Sequence, residues 1–194
     1  MTENTSDAEN APDINPIITG MHTQNDRGAA ICGCAFLEEK LREAIEERWP
    51  PISNAVRERL FKGFGSLSSF SAKITLAHAM GVLATSAKSD FNKARLIRND
   101  AAHIGTPFSF ETPQTKKRVG ELVAMIHGMP PDKFPGNTER NLFTGSVKMM
   151  SAYLWMQNRW KEKLGPNAVM PYFDGPQSSK NQRVNSTSES KRES

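Results

Sequence analysis

Apolar side chains recur every three or four positions along most of the chain, the spacing that places them on one face of an α-helix. The first such helix begins where Asn25 or Asp26 can cap free backbone N–H groups, and it runs to about Arg48. It stops there because Pro50 and Pro51 cannot continue it. Its inward stripe is Ala30, Cys34, Leu37, Leu41 and Ala44/Ile45.

The same spacing predicts five more helices, at about 53–61, 69–85, 88–103, 115–127 and 138–164. Val56 and Leu60 are the inward residues of the second helix, and the serines that close the loop after it cap the third. The segment 106–113 is predicted to be an extended crossing loop. The last helix is expected to bury Phe143, Val147, Met150, Leu154 and Trp155. No strand pattern interrupts the series, so the predicted fold class is all-α, a helical bundle of about six helices.

Both ends of the chain differ in composition from the helical part. Residues 1–16 are polar and acidic, and residues 174–194 are rich in serine, asparagine and charged side chains. Such segments bury too little apolar surface to offset the entropy of ordering, so both are predicted to be disordered tails. The 194-residue chain therefore divides into these two tails and one helical domain, 17–173.

Charge is unevenly distributed along the chain. The net charge is +4, but residues 1–20 carry four acidic and no basic residues, and the segment from 174 onward carries four basic and three acidic ones. The middle, 21–173, therefore carries +7. A basic domain tolerates an anionic partner such as RNA or DNA, although an excess of this size is also common on solvated surfaces.

Three features indicate a cytoplasmic protein. The chain contains no run of about 18 apolar residues, the length needed to span a membrane. Its amino terminus lacks the apolar segment of a secretory signal. Cys32 and Cys34 point about 200° apart on a helix, so they cannot form a disulfide with each other. No second cysteine pair completes a metal site, and no cofactor is expected. Both cysteines are interpreted as buried structural thiols in a reducing compartment.

One arginine lies on an apolar face. Arg98 shares the inward arc of the fourth helix with Ala94 and Ile97. Because an isolated buried charge is costly, its guanidinium needs an acid, a carbonyl or an external anion as a partner. Glu38 or Glu39 on the first helix can supply the acid. In this interpretation, Arg98 belongs to a structural ion pair that joins the first and fourth helices.

A catalytic interpretation of the same helix combines Arg98 with His103. A histidine can move a proton to or from a ribose hydroxyl near neutral pH, and an arginine can stabilise the charge on a phosphate. Asn99 lies four residues before His103, where its amide could fix the imidazole tautomer. On a straight helix, Arg98 and His103 are about 140° apart, so they converge only if the helix unwinds near His103 or if two copies meet.

The segment Arg98-Asn99-Asp100-Ala101-Ala102-His103 resembles the signature of the HEPN class, in which an arginine and a histidine are separated by four residues. The segments 26–31, 37–41, 63–74 and 108–113, in this order, resemble the mannitol operon repressor family within that class. The resemblance covers about residues 22–127. It implies a helical bundle, often dimeric, and HEPN proteins include many metal-independent ribonucleases, whereas the mannitol repressor branch is described as regulatory.

Two functions are therefore predicted as alternatives. The favoured one is a regulatory or interaction module, a homodimer that affects transcription by binding a protein or nucleic acid. Direct reading of DNA is not favoured, because no short helix pair with a tight glycine turn precedes a basic recognition helix. The alternative is a metal-independent ribonuclease that uses Arg98 and His103, with Asn99 assisting.

Overall fold

The computed structural model describes residues 14–122, 139–165 and 172, and all regular structure in these ranges is helical. This confirms the all-α prediction. Residues 1–13 and 173–194, which make up most of the two predicted tails, lie outside the described residues, as does the segment 123–138. The helices are α1 (Asn15–Thr23), α2 (Asp26–Glu46), α3 (Asn54–Phe61), α4 (Phe70–Ala79), α5 (Thr85–Ala102), α6 (Pro113–Gly120) and α7 (Glu139–Leu164).

Helix α2 is the centre of the bundle, and α1, α4, α5 and α7 all pack against it. Asn25 caps it by accepting the Gly28 N–H at 2.8 Å, which confirms the predicted start. The Cys34 thiol of α2 donates to the Ala94 carbonyl of α5 at 3.1 Å, and Arg27 reaches Ala101 near the end of α5. The two helices therefore run antiparallel. The largest fully buried side chains are Tyr153, Tyr172, Phe91, Phe110, Phe143, Met21, Leu37, Leu41, Ile45, Ile74, Leu83 and Ile97.

Helix α1 lies in a segment for which the apolar pattern predicts no element. Its first residues, Asn15 and Pro16, belong to the predicted acidic tail. A proline in the first turn suits a helix start, because its missing N–H has no intrahelical acceptor there. Met21 is completely buried, and it lies so close to Gly33 of α2 that an added Cβ would be 2.7 Å from its methyl group. The glycine thus allows α1 to approach α2.

The structure corrects several details of the predicted helices. Helix α4 ends at Ala79 rather than near Thr85, because Gly81 adopts a φ of 71° and turns the chain. Helix α5 begins at Thr85 rather than near 88, and α6 spans Pro113–Gly120 rather than 115–127, of which 123–127 lie outside the described residues. Leu60 of α3 packs against the core as predicted, but Val56 is 43% exposed and Phe61 is buried in its place. Trp155 of α7 is half-buried, whereas the other four residues predicted for its core face are buried.

Tyr172 connects the C-terminal part of the described chain to α5. It is completely buried, and its hydroxyl donates to the Asp90 carboxylate at 2.9 Å. Its ring also meets that of Tyr153 edge to face, with 4.7 Å between the ring centres. Asp90 is itself completely buried, and Lys93 lies 3.4 Å from its other oxygen. A residue distant in sequence thus helps to satisfy a buried charge of α5.

Candidate functional site

The C-terminal end of α5 carries the three residues of the predicted catalytic group. The helix ends at Ala102, and His103 has an extended backbone with φ −74° and ψ 98°. The chain therefore unwinds at His103, which is one of the two conditions under which Arg98 and His103 were expected to converge. The His103 side chain is exposed, and the following Ile104 is 92% exposed. Both side chains point away from the core.

Arg27 of α2 holds this end of α5 in place. Its guanidinium donates to the carbonyls of Ala101, His103 and Thr106, the last two at 3.1 and 2.6 Å. The last carbonyls of a helix have no intrahelical N–H partner, and they carry the negative end of the helix dipole. The guanidinium of Arg27 donates hydrogen bonds to these carbonyls, and its positive charge interacts favourably with the negative end of the dipole. Arg27 thus fixes the position of the His103 backbone without touching its ring.

Asp26 holds the loop that follows, residues 103–112, which crosses between α5 and α6. Its carboxylate accepts the Ser109 hydroxyl at 2.8 Å and the Phe110 N–H at 3.1 Å. Phe110 is buried and packs against the ring of Phe143 at 5.1 Å between centres. The segments 26–31 and 108–113, on which the family resemblance rests, are therefore in direct contact. Their sequence pattern reflects a contact that orders the crossing loop.

The other two segments of the resemblance, 37–41 and 63–74, also contact each other. The Lys73 ammonium of α4 lies 2.5 Å from the Glu38 carboxylate of α2, and it approaches the Ser68 carbonyl at 3.4 Å. The two side chains are only 7% and 20% exposed. This buried ion pair joins α2 to the start of α4.

Arg98 does not pair with either of the two acids predicted for it. Glu38 pairs with Lys73, and Glu39 accepts from the Arg42 guanidinium, with 3.0 Å between Nε and Oε2. The hydrogen bond from Arg42 lowers the pKa of Glu39, and the pKa of Arg42 is correspondingly raised. Both acids are engaged by cations that lie closer in the fold than Arg98. The sequence could place these acids on α2 but could not rank the cations around them.

Arg98 itself is half-buried beside Cys34, and its Nη1 lies 3.4 Å from the side-chain oxygen of Asn99. In the part of the chain that the structure describes, no hydrogen bond joins Arg98 or Asn99 to His103. Arg98 lies within the helix, and His103 lies beyond its end. Within one copy of the chain, Arg98 and Asn99 are therefore not linked to His103 by a direct hydrogen bond.

The two cysteines have different surroundings. Cys34 is buried, and burial raises the pKa of its thiol to about 12, although the nearby charge of Arg98 acts in the opposite direction. Cys32 lies on the opposite side of α2 and is exposed. The prediction that both thiols are buried is therefore wrong for Cys32. An amphipathic helix with two cysteines two positions apart can bury only one of them.

We expect iodoacetamide to alkylate the folded protein at Cys32 and to leave Cys34 unmodified at mildly alkaline pH. The thiolate is the reactive form, and Cys34 is both inaccessible and protonated under these conditions. Peptide mass spectrometry over a time course measures the modification of each site. The Cys32→Ser variant should gain label only after unfolding. Equal rates at the two sites in the folded chain would contradict the described burial.

Two further observations concern ligands and membranes. Within residues 14–122, 139–165 and 172, no three His, Cys, Asp or Glu side chains cluster in a way that could hold a metal ion. Over the same ranges, none of the helices combines the length and the apolar character that crossing a bilayer requires.

Comparison with known proteins gives a likeness of fold. No protein-family model matches the chain, and no curated protein matches it. The structure is similar to a chain in the X-ray structure of the MtlR–HPr complex from Escherichia coli, with a TM-score of 0.59 and 18% sequence identity. The match covers 72% of this chain and 96% of that one. The chain therefore has a fold like that of the mannitol repressor MtlR.

Proposed function

We propose that this protein is a regulatory module that acts by binding a partner protein. The observation that carries the proposal is the extent of the structural likeness, since the match includes 96% of a chain solved in a complex with HPr. Nearly the whole of a fold known to bind another protein is thus present here. In this proposal, the protein works in the cytoplasm and affects transcription through protein contacts, and an HPr-like protein is the first partner to test.

The residues in the segments that resemble the mannitol operon repressor family have structural roles, which favours binding over catalysis. Asp26, Arg27, Glu38 and Lys73 all make contacts that fix one element of the bundle to another. His103 contributes its backbone carbonyl to this framework and leaves its ring exposed. A framework of this kind presents a fixed surface to a partner, which reduces the entropy lost on binding.

The proposal includes a homodimer as the form of the protein in solution. Ile31 of α2 and Trp160 of α7 leave apolar surface exposed, at 37% and 38% of their reference surfaces. Exposed apolar side chains of this kind are available for burial against a second copy. A dimer is also one of the two arrangements, with unwinding of the helix near His103, that could bring Arg98 and His103 together. The ribonuclease alternative could therefore use a site shared between two copies.

An RNA cleavage assay separates the proposed function from that alternative. We expect the purified full-length protein to leave single-stranded and structured RNAs intact in the presence of EDTA, because Arg98 and His103 are not joined. Arg98→Ala and His103→Ala serve as matched variants, and sedimentation velocity establishes whether the sample is dimeric. Metal-independent cleavage that both substitutions abolish would replace the regulatory proposal with the ribonuclease. In parallel, calorimetric titration with E. coli HPr tests the proposed partner directly.

A further inference from the structure

Phe64 stands apart from the rest of the described aromatic side chains because it is fully exposed, at 110% of its reference surface. It lies at the tip of the loop between α3 and α4, and we call residues 62–67 the Phe64 loop. The neighbouring aromatic residue Phe61 is only 8% exposed, and Leu67 is 7% exposed. The loop is therefore anchored in the core at both ends, and its largest apolar side chain points into solvent.

The backbone of the Phe64 loop is closely fixed. The Lys62 N–H donates to the Glu58 carbonyl at 2.9 Å, the Gly65 N–H to Lys62 at 2.9 Å and the Leu67 N–H to Leu60 at 2.8 Å. These bonds close the loop onto the end of α3. The position of Phe64 is thus set by backbone hydrogen bonds that its own side chain does not influence.

Two glycines make this geometry possible. Gly63 has a φ of 58°, in the left-handed region that side chains other than that of glycine rarely adopt. A Cβ at Gly65 would lie 2.3 Å from the Leu60 carbonyl oxygen, so only glycine fits there. A serine or asparagine at position 64 would satisfy the same backbone. The sequence nevertheless places a large aromatic ring there, at the tip of a rigid turn.

The surroundings of Phe64 carry positive charge. The segment 54–67 contains Arg57, Arg59 and Lys62 but only one acid, Glu58. Lys62 pairs with Glu58 at 2.7 Å on the surface, where the two side chains are 73% and 62% exposed. Arg57 pairs with Glu46 of α2, and Arg59 is exposed in the last turn of α3. With these ion pairs counted, Arg59 leaves an excess of positive charge beside Phe64, and acidic groups on a partner that covers this surface would complement it.

We infer that Phe64 is the anchoring side chain of a protein-docking surface and inserts into an apolar pocket rimmed by acidic residues on the partner protein. This inference rests on the proposed function and specifies which part of the surface contacts the partner protein. A single aromatic ring presented by a rigid loop is the kind of residue that dominates interface energies, since it is large and loses little entropy on binding. The flanking Arg59, exposed in the last turn of α3, provides the charge that selects the acidic rim.

The test uses a matched pair of exposed apolar residues, Phe64 and Ile104. p-Benzoyl-phenylalanine is placed at position 64 or at position 104 of the full-length chain, and the protein is irradiated in an extract of the organism that makes it. Proteins crosslinked at position 64 are identified by mass spectrometry and purified. Each is then titrated with wild type, Phe64→Ser and Ile104→Ser by calorimetry, at low and high salt.

We expect Phe64→Ser to weaken binding of the purified partner by at least about tenfold, and Ile104→Ser by less than about twofold. The melting temperatures of both variants should equal that of the wild type, because neither side chain packs in the core. Arg59→Glu combined with Lys62→Glu should also weaken binding, with the larger loss at low salt.

Three results would overturn the inference. They are equal binding by wild type and Phe64→Ser, no crosslink at position 64 whatever happens at position 104, and crosslinks at position 64 only to lipid or to a second copy of this chain. In the first case the partner still binds, so the proposed function stands and only the location fails. RNA cleavage that depends on Arg98 and His103 would instead overturn the proposed function, whatever the crosslinks show.

Discussion

Replacing Glu38 with alanine is expected to destabilise the domain by about 3–5 kcal/mol, the usual cost of removing one partner from a buried ion pair. The Lys73 side chain is 7% exposed, and its ammonium lies 2.5 Å from the Glu38 carboxylate. Without that carboxylate, the largely buried Lys73 ammonium loses its ion-pair partner and retains the Ser68 carbonyl at 3.4 Å. Urea unfolding followed by circular dichroism at neutral pH measures the loss of unfolding free energy.

The neighbouring residue provides the control for this experiment. Glu39 also forms an ion pair, with Arg42, but its side chain is 53% exposed, so Glu39→Ala should cost about 1 kcal/mol or less. The double variant Glu38→Leu with Lys73→Met removes both charges and should recover much of the stability. If Glu38→Ala and Glu39→Ala were equally stable, the ion pair of Glu38 and Lys73 would not be buried in solution.

Replacing Arg27 with alanine is expected to cost about 2–3 kcal/mol and to loosen the end of α5. The substitution removes charge-assisted hydrogen bonds to the carbonyls of Ala101, His103 and Thr106, each worth about 1.5–3 kcal/mol when buried and less where water can replace it. Hydrogen–deuterium exchange should show faster exchange in residues 101–112 than in the wild type. Exchange in α4 and in the core of α7 should change only with the global stability.

Arg27→Lys tests whether geometry or charge explains this effect. A lysine keeps the charge but lacks the planar fork that reaches several carbonyls at once, so it should restore only part of the stability. Full recovery by lysine would show that the helix dipole, rather than the hydrogen bonds, is what Arg27 satisfies. If the backbone amides of residues 101–112 exchanged at the same rate in Arg27→Ala as in the wild type, the described contacts would be contradicted.

The helices that the sequence predicted best are those with a long apolar face and with capping residues or prolines at their ends. Helix α2 has both, since Asn25 caps its start and two prolines follow its end. Helix α1 has nine residues, and only Met21 among them is fully buried, so its stripe is too short to detect. The end of α4 was placed too late because Gly81 acts through its backbone conformation, which apolar spacing does not show.

The site was harder to predict because its contacts join distant parts of the chain. The sequence showed that Arg98 needed a partner, but the nearby acids bind Lys73 and Arg42, whose positions depend on the tertiary fold. Arg27 is visible in the sequence only as part of a family pattern, and Asp26 only as a candidate helix cap and not as the residue that holds the crossing loop. Phe64 belongs to a glycine-containing loop, and only its exposure in the folded chain distinguishes it from core aromatics such as Phe61.

The contact between Tyr172 and Asp90 has a consequence for the synthesis of the protein. The chain is made from its amino terminus, and a domain generally folds as a unit. Asp90 of α5 is thus synthesised long before Tyr172 emerges to donate its hydroxyl. Chains that terminate early leave a buried acid without this donor and the Tyr153 ring without its edge contact. Incomplete chains are consequently less stable than finished ones, and cellular proteases remove the less stable chains first.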